Sequence, residues 1–406
     1  MKKTHVLIIG GGFGGTYTAR YLKPLIEQDK VEVTIINRTN YFLFTPLLHE
    51  VATGALSPTS VVEPIREIFR HNNVHFIQDE VISIDPAQKE VSTANRTIGY
   101  DYLVLSSGAE TNYYGTLGAK ENTLTLKDLH DAQVLRKKII DACEKGAHIA
   151  DDAERKKVLS CVIVGGGATG VELSAEVIEF MQATLCSYYR ACHMKKADMQ
   201  ITIVAASADL LPQFPAELRE IAKMELVRKG VRVMTSETVV EVKPGKILFA
   251  DKSFIEADTI IWVAEVKPST IDIAGSEKEK SGRIKIDEYL KVVGVQGIYA
   301  LGDVSGTHPM LAQVASQQAC TVARNISAEI TNVPASPFIY KEKGLLVSLG
   351  QWYATGKIFG VVMKGPLMWF IWRGVYLFNF HSLRKRTKIA FEWFINLFYP
   401  RDITEV

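Results

Sequence analysis

A short aliphatic run that breaks into glycines constrains this chain more than any other feature in it. His5 to Gly15 reads H-V-L-I-I-G-G-G-F-G-G, and Gly10, Gly12 and Gly15 fall on the spacing G-x-G-x-x-G. Each glycine has a steric reason. The first permits the tight turn out of a buried strand, the second lets a pyrophosphate approach the backbone, and the third lets the next helix pack close to the strand. The N–H groups and positive end of that helix then face the phosphates. An amphipathic segment, Thr16 to Ile26, supplies the helix. The pattern returns at Ser160 to Gly170, S-C-V-I-V-G-G-G-A-T-G, with Gly165, Gly167 and Gly170 in the same register. A doubled fingerprint implies two dinucleotides on two similar modules and predicts hydride transfer from one bound cofactor to the other.

The chain of 406 residues is long enough for about two or three domains. A hydrophobic share of 47% fits a large core, and a net charge of +2 gives no basic surplus for nucleic acid. Cys143, Cys161, Cys186, Cys192 and Cys320 form no C-x-x-C pair and no metal-like cluster, so free thiols in a reducing compartment and no metal are expected. No stretch reaches the roughly 18 to 20 apolar residues that span a bilayer. The apolar run behind Met1-Lys2-Lys3 is too short for a secretory signal, so the expected location is on the cytoplasmic side.

Val31 to Ile36 reads as the second strand of the first module and ends at Asn37-Arg38. This fold normally carries an acid there for a ribose hydroxyl; Asn37 offers a weaker, uncharged hydrogen bond. Arg38 is either a solvated loop residue or a flank for an adenine. Asn40 to His49 and Val51 to Pro58 read as a buried connection without helical or strand periodicity. A hairpin follows at Val81 to Ser92, and a strand then enters Ser107-Gly108, where a small residue and a glycine permit close backbone approach to a cofactor. Asn122 to Lys145 is helical in pattern.

The second module opens at Val158, and its helix begins near Ala168. Glu172 in the first turn either caps that helix or sits beside an incoming nicotinamide. The next strand, Gln200 to Val204, ends at Ala205, so the ribose-binding acid is missing again. No basic residue follows closely enough to welcome a 2′-phosphate, which leaves NADH against NADPH open. Gly297 to Leu301 is a strand ending at Gly302-Asp303, where the aspartate is a plain turn residue or an acceptor for a sugar-alcohol hydroxyl of a flavin. A helix from Leu311 to Ile330 starts with Ala312 and Gln313 and carries Gln317 on the same face. These glutamines are either merely exposed or stacked to orient a quinone carbonyl or a flavin edge.

From Gly365 the character changes. Trp369, Trp372 and Trp393 are three of the chain's five tryptophans. A basic cluster, His381, Arg384, Lys385, Arg386 and Lys388, precedes a one-sided helix from Ile389 to Tyr399. Lys388, Glu392 and Asn396 form its narrow polar stripe, and Phe391, Trp393, Phe394, Leu397 and Phe398 cover the rest. Basic flanks with Trp and Phe on the apolar side favour an anionic membrane surface; the competing use is a dimer interface.

These residues together resemble the type II NADH dehydrogenases, single-subunit NADH:quinone oxidoreductases of respiratory membranes. The resemblance rests on the opening fingerprint, Asn40-Tyr41, Pro46-Leu47-Leu48, Val51-Ala52-Thr53, Gly167 to Glu172, Leu211 to Phe214, Gly302-Asp303, Ala312-Gln313 with Gln317, and the tail ending in Arg401-Asp402. It implies an α/β fold of two Rossmann-like dinucleotide-binding domains, glutathione-reductase-like, plus a C-terminal amphipathic membrane-binding region. The implied domains are an FAD domain over 1–118 and 280–340, an NAD(P)H domain over 119–279 and an anchoring region over 341–406. FAD would touch Gly10, Gly12, Phe13, Gly14, Gly15, Asn37, Arg38, Gly108, Asp303, Ala312 and Gln313. NADH would take Gly165, Gly167, Gly170, Glu172 and Glu265. Glu172, Gln313 and Gln317 are the implied catalytic residues, with a quinone as electron acceptor at the cytoplasmic face and no proton pumping. Two departures stand out: Ala205 where the family usually has glutamate, and Glu265 where it usually has glycine after Trp262-Val-Ala. Sulfide:quinone oxidoreductases share the FAD half and the tail but need a redox cysteine pair at the flavin, a role that Cys161 and Cys320 do not suit. A soluble reductase serving a protein carrier and a non-enzymatic nucleotide sensor are the competing readings.

Overall fold

Strands that are apolar along their whole length must be covered on both faces, which parallel sheets with flanking helices achieve. The strand Thr4–Ile9 is of this kind from Val6 onward: Val6, Leu7 and Ile8 are fully buried. In the computed structural model, which describes residues 3–192, 194–306 and 308–404, it is the centre of a five-stranded sheet. The start Met1-Lys2 lies outside the described residues. The sheet order is Ile298–Ala300, Tyr102–Leu105, Thr4–Ile9, Val31–Asn37, Val74–Gln78, and every pairing is parallel. The second module repeats the plan with four parallel strands: Val231–Met234, Gln200–Val204, Ser160–Val164 and Thr259–Trp262. Each module also carries a three-stranded antiparallel sheet, Val81–Asp85 with Glu90–Thr93 and Thr97–Gly99 in one, Val239–Lys243 with Lys246–Phe249 and Phe254–Glu256 in the other.

The chain forms two compact units. One holds Met1–Leu43, Val62–Glu110 and Val266–Glu342; the other holds Phe44–Val61, Thr111–Glu265 and Lys343–Val406. The segment after Leu43 and the whole tail thus pack with the second sheet rather than standing as a separate region. In the first unit the helix Phe13–Tyr21 packs on the helix Ala312–Thr331. In the second, the helix Ala168–Glu179 is buried along almost its full length and packs on the short helix Leu48–Ala52.

Several boundaries differ from the expectation for local reasons. The first helix stops at Tyr21, and a short second one, Lys23–Glu27, starts with Pro24 near its N-terminus, where a missing N–H costs nothing. The helix expected from Asn122 begins at Leu129, because Asp128 and Asp131 form a reciprocal capping box. The segment read as an irregular connection contains the strand Tyr41–Leu43 and the helix Leu48–Ala52. The last helix is Leu383–Ile395, so it includes most of the basic cluster instead of following it.

A Cβ on Gly170 would lie 1.9 Å from the Gly165 carbonyl oxygen, whereas one on Gly167 would meet nothing within 4 Å. We expect Gly170→Ala to lower unfolding stability by about 1–3 kcal/mol and Gly167→Ala to leave it nearly unchanged. Denaturant titration of both variants checks this; equal effects would contradict the packing.

Candidate functional site

The first glycine turn is held by backbone contacts that exclude side chains. Gly10 has φ +102°, and a Cβ there would lie 2.3 Å from the Ser106 carbonyl oxygen. A Cβ on Gly15 would lie 1.9 Å from the Gly10 carbonyl oxygen, while Gly12 faces open space. No side chain caps the helix that starts at Phe13. An open glycine followed by an uncapped helix start fits a pyrophosphate. Phe13 itself packs edge-on against Phe42, with ring centroids 5.0 Å apart. Gly108 has φ +75° and open space on its Cβ side, and its carbonyl accepts the Ser269 N–H at 3.0 Å.

Asn37 does not present a free amide to a ribose. Its Oδ1 accepts the Gly11 N–H at 2.9 Å, and its Nδ2 donates to the Thr39 carbonyl at 2.8 Å. The residue braces the glycine turn. Arg38 is largely exposed, 3.9 Å from Glu80, as the solvated reading has it. Asp303 lies in the helical turn Gly302–Val304 that follows the strand Ile298–Ala300, and is partly buried. Ala312 and Gln313, both partly buried, open the helix Ala312–Thr331. Gln317 bonds to the backbone of Lys341: its Nε2 donates to the carbonyl at 2.9 Å and its Oε1 accepts the N–H at 3.1 Å. Its neighbour Gln318 is fully buried, accepts the Gly302 N–H at 2.7 Å and leaves Nε2 without a hydrogen-bond partner. The spacing Val314, Gln318, Val322 along one helical face is the sequence signal that marks Gln318 as inward.

The second cradle repeats the first. Gly165 has φ +135°, and a Cβ there would lie 2.5 Å from the Val263 backbone. A Cβ on Gly166 would lie 2.6 Å from the Ala205 Cβ. The helix from Ala168 also starts without a side-chain cap, so Glu172 is not capping it. Ala205 is buried and offers no acceptor; Asp209, further along the loop, is held by Arg219 at 2.7 Å. Glu265 is exposed after the strand Thr259–Trp262, and its carbonyl accepts the Asn112 N–H at 3.0 Å. Cys161 is buried in Ser160–Val164, and burial pushes its thiol up to about 12.

Glu172 belongs to a group of buried ionisable side chains in the second unit. Its Oε1 accepts the Ser348 N–H at 2.9 Å, and its Oε2 lies 3.8 Å from His49 Nδ1. Glu176, one turn on, pairs with Arg401 at 2.7 Å. Glu50 lies 3.8 Å from Arg373 and accepts the Trp393 indole N–H at 2.5 Å. Burial pushes Glu172 up to about 8, with Glu50 and Glu176 adding repulsion against the Ser348 hydrogen bond. Burial likewise raises Glu50 to about 7 against the pull of Arg373, and lowers His49 to about 4. Burial alone would raise Glu176, but Arg401, His49 and Arg373 outweigh it and hold this carboxyl below its usual range. Near neutrality Glu172 is therefore an acid with a proton to give and His49 is a neutral base. His49 Nε2 and the Trp372 indole N–H are buried with no hydrogen-bond partner among the described residues. Sequence reading missed Glu50, Glu176, Arg373 and Arg401; the pair His49-Glu50 inside an otherwise apolar stretch was the available signal.

The tail helices, Pro366–Phe378 and Leu383–Ile395, turn their polarity inside out. Glu392 accepts from Ser57 Oγ and Ser60 Oγ, both at 2.8 Å, and Asn396 donates to the Ala55 carbonyl at 2.6 Å. The expected polar stripe thus faces the protein, while Phe370, Phe378, Phe391, Phe394, Phe398 and Tyr399 are exposed. The three tail tryptophans are buried, and for Trp393 this departs from its expected place on the outer apolar face. Arg373 lies 3.7 Å over the Trp369 ring and 4.6 Å over the Trp393 ring, which explains two of them.

Residues 4–319 match the family model described as pyridine nucleotide-disulphide oxidoreductase. The chain is similar over its full length to an internal alternative NAD(P)H-ubiquinone oxidoreductase of Arabidopsis thaliana, at 32% identity and 86% of that protein's length. It is similar to a type II NADH:quinone oxidoreductase of Mycobacterium tuberculosis at 30% identity, covering 98% of this chain and 89% of the relative. The solved NDH2 of Plasmodium falciparum in complex with NADH shares the fold, with a TM-score of 0.91 over 99% of this chain and 100% of that one, at 23% identity.

The raised carboxyls carry a pH signature. A group whose pKa is higher folded than unfolded stabilises the fold below its unfolded value, and that contribution is lost as pH rises through the folded value. His49, depressed to about 4, acts in the opposite direction between about 4 and 6.5. From pH 6.5 to about 8 the His49 contribution has ended, and the raised carboxyls Glu172, Glu50 and Glu179 act in one direction. Unfolding stability is expected to fall across that window in the wild type and less steeply in Glu172→Gln. Parallel profiles for the two proteins would contradict the assignment.

Proposed function

The chain belongs to the type II NADH:quinone oxidoreductases, within the pyridine nucleotide-disulphide oxidoreductase family, and from that premise we propose that it oxidises NADH and reduces a membrane quinone. The observation that carries the reading is the duplicated cradle: two glycine turns, each closed by a backbone contact no side chain tolerates, and each leading into an uncapped helix. The first, with Gly10, Gly12, Phe13, Gly14 and Gly15, holds the FAD pyrophosphate, and Gly108, Asp303, Ala312 and Gln313 line the remaining flavin contacts. Asn37 serves by bracing the turn. The second, with Gly165, Gly167 and Gly170, holds NADH, with Glu265 on the exposed rim.

FAD, when bound, accepts a hydride from NADH and passes two electrons to the quinone. The protein positions both partners and supplies the proton the hydride does not bring, from Glu172. Gln317 fixes the chain at Lys341 rather than touching substrate. The exposed aromatic face of the tail lies in the membrane interface, and the exposed Arg384 sits near anionic headgroups. Attachment is peripheral, at the cytoplasmic face, and turnover pumps no protons; among the described residues no helix is long and apolar enough to cross a membrane. A soluble reductase has no use for this outward aromatic face, and a second copy of the chain is the other occupant the test separates.

Vesicle-bound protein is expected to oxidise NADH at a rate set by added quinone; quinone-independent or absent turnover would contradict the proposal. Phe391→Asp with Phe394→Asp should lower partitioning into anionic vesicles about tenfold or more. Sedimentation with vesicles reads this; unchanged partitioning accompanied by loss of a dimer would assign the face to self-association. Ala205→Glu restores a ribose acceptor and should raise preference for NADH over NADPH about tenfold. Rates of flavin reduction by the two nucleotides check it, and an unchanged ratio would show that Ala205 does not face the ribose.

A further inference from the structure

Quinol formation sets a proton count. A hydride carries two electrons and one proton, and reducing a quinone to a quinol forms two O–H bonds, so one further proton is required. In the overall change, NADH, quinone and one proton give NAD+ and quinol. The buried group around Glu172 contains one proton's worth of imbalance. Glu50, Glu172 and Glu176 face Arg373 and Arg401, three carboxyls against two guanidiniums. Glu50 and His49 come from the helix Leu48–Ala52, Glu172 and Glu176 from Ala168–Glu179, and Arg373 with Tyr376 from Pro366–Phe378. Burial keeps His49 neutral near pH 7 and raises the Tyr376 phenol, so neither changes the count. Glu179, on the next turn, is matched by Lys229, which also pairs with Glu225, and Glu225 is matched by Arg228. Glu392 of the last helix has its own partner in Lys388.

The geometry decides which carboxyl is left over. Glu176 has Arg401 at 2.7 Å, and Glu50 has Arg373 at 3.8 Å plus the Trp393 N–H. Among the described residues Glu172 has no arginine or lysine within ion-pair distance, only His49. Ionised carboxylates taken out of water need a matching charge, and a surplus one keeps its proton instead. Both guanidiniums belong to the C-terminal segment. Arg373 is fixed between the Trp369 and Trp393 rings, and Arg401 follows the last helix.

We propose that Arg373 and Arg401 are positioning residues that, by matching Glu50 and Glu176 charge for charge, reserve Glu172 as the one proton-bearing carboxyl of the group. The proposal rests on the NADH:quinone reading for its use: the Glu172 O–H bond breaks as the quinol O–H bond forms, and the carboxylate recovers a proton from water. Seating of the tail and loading of the proton are then one event.

The test is the infrared carbonyl band of protonated glutamate in holoenzyme carrying 13C-labelled glutamate, read between pH about 7 and about 8, above Glu50 and below Glu172. The band should lose most of its intensity in Glu172→Gln and about double in Arg401→Gln, where Glu176 loses its partner and takes up a proton. Arg401→Lys should restore the single band. So should Arg401→Gln combined with Glu176→Gln, which keeps the count balanced and remains informative if Arg401→Gln alone does not fold. A band unchanged in Glu172→Gln, or unchanged in Arg401→Gln, overturns the proposal. Anaerobic flavin reduction by NADH is recorded on the same wild-type sample. Failure there removes the quinone reading while the bands still decide the charge count.

Discussion

Two backbone contacts govern both nucleotide-binding modules. The Gly10 and Gly165 carbonyl oxygens occupy the positions where a Cβ on Gly15 and Gly170 would stand, at 1.9 Å in each case. That contact draws each helix against its strand and leaves the helix start, uncapped by any side chain, at the strand's end. The phosphate-binding chemistry follows from it, because backbone N–H groups and a helix dipole are then aimed without any cationic side chain. The same packing repeats in both units although the residues beyond the glycines differ, so the backbone and not the side chains defines the cradle.

The second unit adds a costlier element. Burying ionised carboxylates costs several kcal/mol each unless the group is well paired, so such clusters are weak stabilisers and strong pointers to chemistry. Here the pairing comes from the tail. Its tryptophans fix Arg373, its last residues deliver Arg401, and its polar stripe is used up by Ser57, Ser60 and Ala55. With that polar stripe turned inward, the outer face of the tail is largely apolar and rich in aromatics. Interior electrostatics and the apolar outer face are two consequences of one docking arrangement.

Much of this was legible in the sequence, and the limits have physical causes. The cradles were readable because steric exclusion leaves glycine no substitute. The strands Gln200–Val204 and Val231–Met234 were readable because a continuous β-branched or aliphatic run suits a sheet covered on both faces. The backbone partners of Asn37 and Gln317 were not legible, because a side-chain amide serves backbone and ligand equally well, and only coordinates show the bonds to Gly11 and Lys341. Glu50, Glu176, Arg373 and Arg401 are far apart in sequence, and their pairing appears only when the tail docks. The tail periodicity and its outward apolar side were legible; the inward partners of the polar stripe were not, since an amphipathic pattern does not say what its polar face meets. A polar stripe normally seeks water; here the hydroxyls around Ser57 take that place.

One chain binds a flavin and a nicotinamide and passes electrons from the nicotinamide through the flavin to a quinone. Double-mixing stopped flow under anaerobic conditions tests that route most directly. Purified protein mixed with NADH should lose its oxidised-flavin absorbance in a fast phase, and a subsequent pulse of quinone should restore it fully. A protein that carries no flavin, or one whose flavin is reduced by NADH and stays reduced in the presence of quinone, would contradict the account.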